Sequence, residues 1–591
     1  MQTLVCIGRD ETMTLGNKIQ EIRLAKGMSQ EQFGELLDTT RQTVSKWELD
    51  QVVPDVRKII AISRISGVSL DELLLKATNF ETEGVPPSGG MHGKSTAEIL
   101  ETVKLALEYY AEGMRRAEAD EDRKNLPDAG GKDAANPQKD IPDLQKICEL
   151  SKIWEESAYN FAFWDRTEID WDAEYRKALE RVLATKDIYE YYRELMRFMT
   201  LLNDGHTDVS FPNWMYQDPE YYSMLPVFFG KFGDKVAVVL VSEAYRDRIP
   251  QYSILLRIDG QDVLEHIREK CYPYFWHANE AACGLSVLNA LVYGRRGSGA
   301  VYTFEKDGRE FDVRLEREDP SKIAWRSTEF PFNNDDPPGT ISSSEVHKVF
   351  FADDGIAVIR MSSFADNTMH EKIWKCFDEL KGAKGYIVDV RGNTGGNSGN
   401  ADMVASLFID GDFRSCYAET QVYEPTYKAW SVFQEEFKGL PPAEAAEKFA
   451  GDEGRLKRYR MLHNINYVND GGNLVTNIAP GKLNGPVVVL MNESTISAAE
   501  DFIDIMKMYT DAVFVGTSTA GTSGQPLCGT LESGGFYRVC TRRCIAQNGE
   551  EIYNRGFTPD IRIRPTVEEF AAGCDVVFEK GLEVLKAKIA E

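Results

Sequence analysis

Ser497 stands directly after an apolar run and at the start of a helical pattern. The run PVVVL at residues 486–490 predicts a buried strand, and residues 498–506 carry apolar residues at helical spacing. A serine at a helix start faces unpaired backbone N–H groups and the positive end of the helix dipole, which favour a developing negative charge. Ser497 is therefore a candidate nucleophile, although serine at this position also caps helices without doing chemistry.

A glycine-rich turn follows a second apolar strand far upstream of this serine. Residues 385–399 read GYIVDVRGNTGGNSG. Glycine adopts positive φ and lets backbone N–H groups approach a ligand closely, so this turn is a candidate oxyanion hole. It has neither the GxGxxG spacing nor the GK[ST] ending of nucleotide-binding turns, which disfavours phosphate binding.

One of the seven histidines lies in a third segment with a distinctive pattern. Residues 201–211 read LLNDGHTDVSF, so His206 falls between a helical stretch and a strand-like alternation. A lone histidine is usually structural, but the near-neutral pKa of the imidazole suits a general base. The candidate nucleophile and the candidate oxyanion hole described above support the interpretation of His206 as a general base.

Four motifs in this order resemble the tail-specific, or C-terminal processing, serine protease family, which includes the tricorn core and the interphotoreceptor retinoid-binding repeats. They are DGHT at 204–207, VDVRGNTGGN at 388–397, TISAAEDF at 495–502 and NRGFTPDI at 554–561. The resemblance runs from about residue 141 to the end of the chain. It implies an α/β core with a mixed sheet, of the tail-specific protease and ClpP-crotonase-like type. It also implies hydrolysis of a protein or peptide substrate without a metal or other cofactor.

Members of this family use one of two bases, a lysine or a histidine. The lysine would fall in the stretch that aligns with residues 516–525, where this sequence has none and Thr522 and Ser523 stand in its place. The tricorn-like style instead uses a histidine that matches His206. The resemblance therefore implies a Ser497–His206 dyad. The oxyanion donors are expected to be the backbone N–H groups of Gly395 or Gly396 and of Ala498.

The third, orienting group departs from the tricorn-like pattern. Tyr553 occupies the slot of the family's glutamate, so we expect Glu551, or Asp204 beside the histidine, to orient the ring instead. Gly205 also replaces the serine that precedes the histidine in tricorn. These departures leave a second hypothesis open: a transcriptional regulator whose protease-like half is a weak or inactive sensor of a peptide or a small apolar ligand.

The N-terminal part shows a different pattern, a series of short amphipathic helical periods with tight turns. Ser29–Gln30 and the run SKWE at 45–48 resemble the phage-repressor (XRE-like) helix-turn-helix. The resemblance implies that the second helix of the motif enters the major groove of DNA, and that Gln30 touches the DNA backbone. The groove-facing residues would be Arg41, Gln42, Ser45 and Lys46. The alternative is a repressor-like fold reused for protein contacts.

Composition limits how these parts can work. The chain has 591 residues, 42% of them hydrophobic, and a net charge of 68 − 94 = −26, so DNA binding must be local, salt-sensitive and assisted by a homodimer. The first residues lack the pattern of a signal peptide, and no run of about 18 apolar residues occurs, which predicts a cytoplasmic protein without a membrane partner. The ten cysteines form no CxxC pair, so we expect no metal site.

The segments combine into a multidomain prediction. A small module with an Asp-Gly turn, YSILLRIDGQDV at 252–263, is PDZ-like by its position, although any small β-hairpin could show the same pattern. The predicted order is an all-α helix-turn-helix head at 14–76, a linker with a central helix at 77–140, a helical subdomain at 141–215, a PDZ-like β module at 222–320, the α/β protease core at 340–566 and a C-terminal helix at 567–591.

Overall fold

The computed structural model describes residues 15–37, 39–49, 62, 139–279, 288–325, 336–352, 355–550 and 552–591. The chain divides into two compact units, Met1–Gly93 and Lys94–Glu591. The predicted helix in the middle of the linker, near residues 96–119, lies outside the described residues. None of the described helices combines the length and the apolar character that a membrane span requires.

The first unit contains the predicted helix-turn-helix, which the structure confirms. Its helices are α1 (Leu15–Ala25), α2 (Gln30–Leu36) and α3 (Arg41–Glu48). The Thr40 side chain caps α3 by accepting from the Thr43 N–H. Gly34 lets α2 approach the turn, because a Cβ there would lie 2.9 Å from the Thr39 carbonyl oxygen. The helices enclose a core of Ile19, Ile22, Phe33, Leu37, Val44, Trp47 and Ile62.

The second unit is larger and mixes helices with several sheets. Its helices are α4 (Asp143–Asn160), α5 (Trp171–Leu183), α6 (Ile188–Thr200), α7 (Val263–Lys270), α8 (Met369–Trp374), α9 (Phe377–Leu380), α10 (Ser398–Ala405), α11 (Pro425–Ser431), α12 (Pro442–Lys448), α13 (Glu453–Leu462), α14 (Ala498–Tyr509), α15 (Val567–Ala571) and α16 (Val576–Ala590). Its strands are β1 (Asp208–Ser210), β2 (Ser223–Met224), β3 (Val227–Phe232), β4 (Lys235–Val241), β5 (Ile254–Ile258), β6 (Gln261–Asp262), β7 (Tyr293–Gly294), β8 (Gly299–Lys306), β9 (Arg309–Glu316), β10 (Thr340–Ser343), β11 (His347–Ala352), β12 (Ile356–Met361), β13 (Gly385–Asp389), β14 (Phe413–Arg414), β15 (Tyr417–Gln421), β16 (Tyr467–Asn469), β17 (Leu474–Val475), β18 (Val487–Met491), β19 (Val513–Gly516), β20 (Pro526–Thr530), β21 (Phe536–Cys540), β22 (Arg542–Ile545) and β23 (Ile561–Arg562).

A seven-stranded mixed sheet forms the centre of this unit, as predicted. The strand order is β10-β11-β12-β13-β18-β19-β23, in which β12 to β23 run parallel and β10 and β11 are antiparallel. All five residues of β18 are buried, because helices cover both faces. Val489 packs in one core with Phe502 of α14, whereas Val488 and Leu490 pack in another with Leu585 of α16.

The parallel strands bring three loops to one edge of the sheet. β13, β18 and β19 are neighbours, so the loops that follow their carboxyl ends lie side by side. These loops are the glycine-rich turn after β13, the segment 492–497 after β18 and the segment 517–525 after β19. The last of them leads directly into β20, which belongs to a second sheet.

The second sheet carries the predicted base. Its order is β1-β21-β20, and His206 lies two residues before β1. Helices α4 to α6 pack on this sheet, since their apolar residues share a core with β21, and the Ala162 N–H donates to the Cys540 carbonyl. The sheet and its helices therefore fix the histidine loop against the mixed sheet through the shared segment 517–525.

A further antiparallel sheet occupies the predicted PDZ-like region. Its order is β3-β4-β5-β8-β9, with β6 paired to β5, and α7 follows β6 directly. The Asp259–Gly260 turn has positive φ at both residues, as expected for a hairpin turn. The region is a compact β module with one short helix, and its assignment as PDZ-like stays a prediction.

Candidate active site

Ser497 lies in a strained turn that ends at the start of α14. Its φ of 57° and ψ of −126° are unusual for a residue with a side chain. Two hydrogen bonds from the loop backbone hold this conformation, from the Ser497 N–H to the Thr522 carbonyl (3.0 Å) and from the Ile496 N–H to the Asn393 carbonyl (2.9 Å). The half-buried serine is thus fixed by both neighbouring loops.

His206 meets Ser497 across the two sheets. Its Nε2 lies 3.2 Å from Ser497 Oγ, and its Nδ1 lies 2.7 Å from Thr522 Oγ1. If Nδ1 carries the proton and donates it to the threonine hydroxyl, Nε2 is free to accept from the serine. Burial, and then the nearby charge of Arg538, lower the pKa of His206 to about 3, with Asp208 opposing the shift. The imidazole is therefore neutral at neutral pH, as a general base requires.

Thr522 connects the serine, the histidine and a buried carboxylate. Its carbonyl accepts from Ser497, its hydroxyl contacts His206, and its N–H donates to Glu500 Oε2 at 2.8 Å. Glu500 also accepts from the Thr519 hydroxyl (2.5 Å) and the Gly521 N–H (2.7 Å). Burial raises the pKa of Glu500 to about 7, although these hydrogen bonds oppose the rise. The carboxylate holds the loop and does not contact the imidazole.

Of the two residues expected to orient the ring, only Asp204 lies within the described residues, and its hydrogen bonds go elsewhere. Glu551 lies outside the described residues. Asp204 Oδ1 accepts from the His206 backbone N–H (2.9 Å) and the Thr207 hydroxyl (2.8 Å), so it holds the histidine's backbone and not its ring. Tyr553 stacks on Phe163 with 3.6 Å between ring centroids. The side chain that contacts the ring at Nδ1 is that of Thr522. The sequence indicated this residue only by placing it where other members of the family have the catalytic lysine.

The glycine-rich turn packs against the nucleophile. A Cβ on Gly395 would lie 2.7 Å from Ser497 Cβ, and one on Gly396 would lie 2.5 Å from the backbone nitrogen of Ala365. The Gly395 N–H donates to Asn393 Oδ1 at 2.9 Å, so it is engaged within the turn. Within the described parts of the chain, the N–H groups of Gly396 and Ala498 have no protein acceptor, which leaves these two predicted donors available for an oxyanion.

The predicted DNA-contacting residues differ in their exposure and in their contacts within the head. Arg41, Gln42 and Lys46 are exposed on α3, and Ser45 is half-buried beside them. The Gln30 side chain donates to Glu48 Oε2 at 2.7 Å and is thereby held against the head's own helix. Arg23 pairs with the same carboxylate, so Glu48 is a buried tie between α1, α2 and α3.

Comparisons with known proteins agree with both halves of the structure. Residues 355–563 match the model of peptidase family S41, and residues 19–73 match the model of a helix-turn-helix. The carboxy-terminal processing protease CtpA of Bacillus subtilis is 26% identical over 213 residues, which cover 36% of this chain and 35% of that protein. The SPbeta prophage-derived HTH-type regulator YonR of B. subtilis is 38% identical over 64 residues, 11% of this chain and 58% of that protein.

The solved structure of mature CPAF complexed with lactacystin has the same fold. It superimposes with a TM-score of 0.55 at 17% identity, over 75% of this chain and 98% of that one. The match to CtpA spans about a third of that protease's length. The chain therefore resembles peptidase family S41 over residues 355–563 and a helix-turn-helix over residues 19–73.

Proposed function

We propose that the chain is a cytoplasmic serine endopeptidase with a sequence-specific DNA-binding head, which hydrolyses peptide bonds through an acyl-enzyme on Ser497. The observation that carries the proposal is the 3.2 Å contact between His206 Nε2 and Ser497 Oγ. This contact joins residues from two sheets at a strained helix start beside two available N–H groups. The peptidase family S41 match and the CPAF-like fold support a protease of this general type.

The residues divide the reaction between them. His206 Nε2 takes the hydroxyl proton while Ser497 Oγ attacks the substrate carbonyl carbon, and the resulting imidazolium returns that proton to the leaving amine. The N–H groups of Ala498 and Gly396 would hold the negative oxygen of the tetrahedral intermediate. Water then attacks the acyl group by the same proton transfers in reverse, which restores the serine.

A fluorophosphonate probe tests whether Ser497 is activated. We expect a phosphonyl adduct on Ser497, located by mass spectrometry, that forms in the full chain and is lost in Ser497→Ala and His206→Ala. Peptidase activity should fall at least about 1000-fold in both variants. The matched controls Ser494→Ala, three residues before the nucleophile, and His266→Ala, on α7, should keep labelling and activity. Unchanged peptidase activity in folded Ser497→Ala would exclude the proposal.

A ligand-sensing regulator is the second candidate function. It is favoured by the neutral Thr522 hydroxyl at His206 Nδ1, where proteases with strong activity place a carboxylate, and by Tyr553 in the family's acid slot. Absence of labelling in a folded sample, combined with saturable binding of peptides by the same sample, would establish this function in place of proteolysis.

The DNA-binding part of the proposal rests on the exposed face of α3. We infer a homodimer that places two heads on adjacent half-sites, because the net charge of −26 repels DNA elsewhere. Operators selected from a random duplex library would be titrated with the full chain. Arg41→Ala and Lys46→Ala should each weaken binding, with a loss of about 1–3 kcal/mol for a base contact. Lys26→Ala removes the same charge from an exposed position beyond α1 and should change affinity little.

A further inference from the structure

A buried cluster of two thiols and a carboxylate lies one helical turn from the nucleophile. Cys416 Sγ, Cys544 Sγ and a carboxylate oxygen of Asp501 all lie within 4.8 Å of one another, and all three residues are buried. The cysteines lie on the same face of neighbouring antiparallel strands, since β15 pairs with β22 through Tyr417 opposite Ile545 and Ala418 opposite Cys544. Asp501 belongs to the first turn of α14.

This donor set fits a particular class of metal ion. Tetrahedral zinc has bonds of about 2.0–2.3 Å to sulfur and oxygen ligands, which places the ligand atoms about 3.5–4 Å apart. Thiolates favour zinc over magnesium or calcium, which take oxygen ligands. The three ligand atoms lie within 4.8 Å of one another, so small side-chain movements would bring them to the distances that such an ion requires.

Asp402 provides a second, independent observation that points to a ligand at this cluster. It is more than nine-tenths buried, and its Oδ1 has no hydrogen-bond partner among the described residues. It lies one turn beyond Ser398 on α10, and the Ser398 hydroxyl donates to Asp501 Oδ2 at 2.7 Å. Asp402 therefore lies on the face of α10 that packs against Asp501.

We propose that Cys416, Cys544 and Asp501 bind a zinc ion, whose charge the nearby buried carboxylate of Asp402 would stabilise. Asp501 already accepts from the Ser398 and Ser523 hydroxyls, which orient its two oxygens. A bound ion would tie α14 to β15 and β22 behind the nucleophile. The site has a structural role and holds no substrate, so it is independent of whether the chain is a protease.

The ligands come from distant parts of the sequence, which explains why no CxxC pattern marked them. The two strands that bring the cysteines together, β15 and β22, are more than a hundred residues apart, and the carboxylate comes from the helix between them. Spacing rules detect metal sites that are built on one local turn. A site assembled by the mixed fold leaves no such signature.

The test measures metal binding directly on the full chain with its thiols kept reduced. After chelator treatment, the protein is equilibrated with zinc chloride, desalted and analysed by elemental mass spectrometry. We expect one zinc per chain that is lost in the double variant Cys416→Ser/Cys544→Ser, with affinity lowered at least about 100-fold. The control Cys376→Ser/Cys528→Ser changes two thiols outside the cluster and should retain the zinc. Asp402→Asn should weaken binding less than the loss of either thiol.

Cobalt substitution keeps the proposal testable if the double variant fails to fold. Cobalt(II) added to the wild-type chain should give the thiolate-to-metal charge-transfer absorption of a tetrahedral site, and the conservative variant Asp501→Asn should diminish it. Folded wild-type protein that retains no zinc, or zinc retained equally by both double variants, would overturn the proposal. Cobalt bound without a thiolate band would do the same.

Discussion

The two ends of the proposed Ser497–His206 dyad are held in different ways. The serine end is fixed by backbone hydrogen bonds from Ile496 and Ser497 and by the close approach of Gly395, so its geometry depends on the main chain. The histidine end has a side-chain contact to the neutral hydroxyl of Thr522, and the charges of Arg538 and Asp208 influence its pKa without a hydrogen bond to the ring. The main chain therefore fixes the position of the proposed nucleophile, whereas the proposed base has only a neutral hydroxyl at its ring to stabilise a positive charge.

This difference indicates which part of the site limits the rate of the proposed reaction. A carboxylate at Nδ1 stabilises the imidazolium that forms during attack, and a hydroxyl does so far less. Rigid placement of the serine still supplies the benefits of orientation and of prearranged N–H donors. We therefore expect substitutions that move the main chain to cost more activity than substitutions that alter the histidine's hydrogen bond.

Among substitutions of residues that surround the two proposed catalytic side chains, the largest effect should come from crowding the serine turn. In Gly395→Ala the new Cβ would lie 2.7 Å from Ser497 Cβ at a φ of +89°, so the turn must shift and kcat/KM should fall by about 100-fold or more. Gly454→Ala on α13 is the control, because its Cβ has room and the φ there is ordinary. Thermal unfolding of both variants separates a local shift from a failure to fold. Near-normal kcat/KM in Gly395→Ala would contradict the importance of the main chain.

A smaller loss is expected when the carboxylate beneath the loop is replaced. In Glu500→Gln, an amide NH₂ that cannot accept a hydrogen bond replaces one carboxylate oxygen. At least one of the three groups that donate to Glu500 then loses its acceptor. The loop that contains Thr522 loosens, and kcat should fall by about 10–100-fold. Glu436→Gln changes a half-buried carboxylate that pairs with Lys448 and Arg455, outside this loop, and serves as the control. Equal kcat values for the two variants would show that the loop does not depend on Glu500.

The contact at the histidine ring should matter less than either of these. Thr522→Val removes the hydroxyl while keeping the shape, so kcat should fall about 10-fold with little change in KM. Thr522→Ser restores the hydroxyl and should recover most of the rate. If Thr522→Val proved more damaging than Gly395→Ala, the ranking of the two ends would be reversed.

The smallest expected effect is a shift of the pH profile. Because the pKa of His206 is lowered to about 3, the acid limb of kcat/KM should lie well below the pH of an ordinary histidine. Arg538 contributes to that lowering, so Arg538→Gln should move the acid limb upward, by less than about one pH unit. Arg543→Gln, which loses a comparable buried pair with Asp165, should leave the limb in place. A downward shift in Arg538→Gln would contradict the assigned electrostatics.

The low pKa of His206 also affects folding. A folded-state pKa below the unfolded value means that the unfolded chain binds the extra proton first. The free energy of unfolding is therefore independent of the protonation of His206 above the unfolded pKa of about 6.5, and it decreases as pH falls from there toward 3.

The sequence predicted the elements of the site better than the contacts between them. The strand before Ser497 and the helix after it were predicted, and they occur as β18 and α14. Thr522 was noted as the occupant of the lysine slot, but its contact with His206 joins residues 316 positions apart. Local pattern carries no information about such a contact, which depends on how β19 leads into the second sheet.

Two predictions for the N-terminal head rested on different kinds of information. The helix-turn-helix was predicted from short-range periodicity, and the structure confirms it because its core lies within about fifty residues. The Gln30 contact to DNA was inferred by resemblance and stays a prediction, and the structure adds a hydrogen bond from that amide to Glu48. A buried partner inside the head cannot be read from spacing alone.

The hydroxyl at His206 Nδ1 has a kinetic consequence. An activated ester carries a leaving group that departs without a proton from the histidine, so its acylation of Ser497 needs less help from a weak base than hydrolysis by water does. Ester substrates should therefore release a rapid burst of about one equivalent of product and then turn over slowly. Between turnovers on such esters, most molecules would carry the acyl group on Ser497.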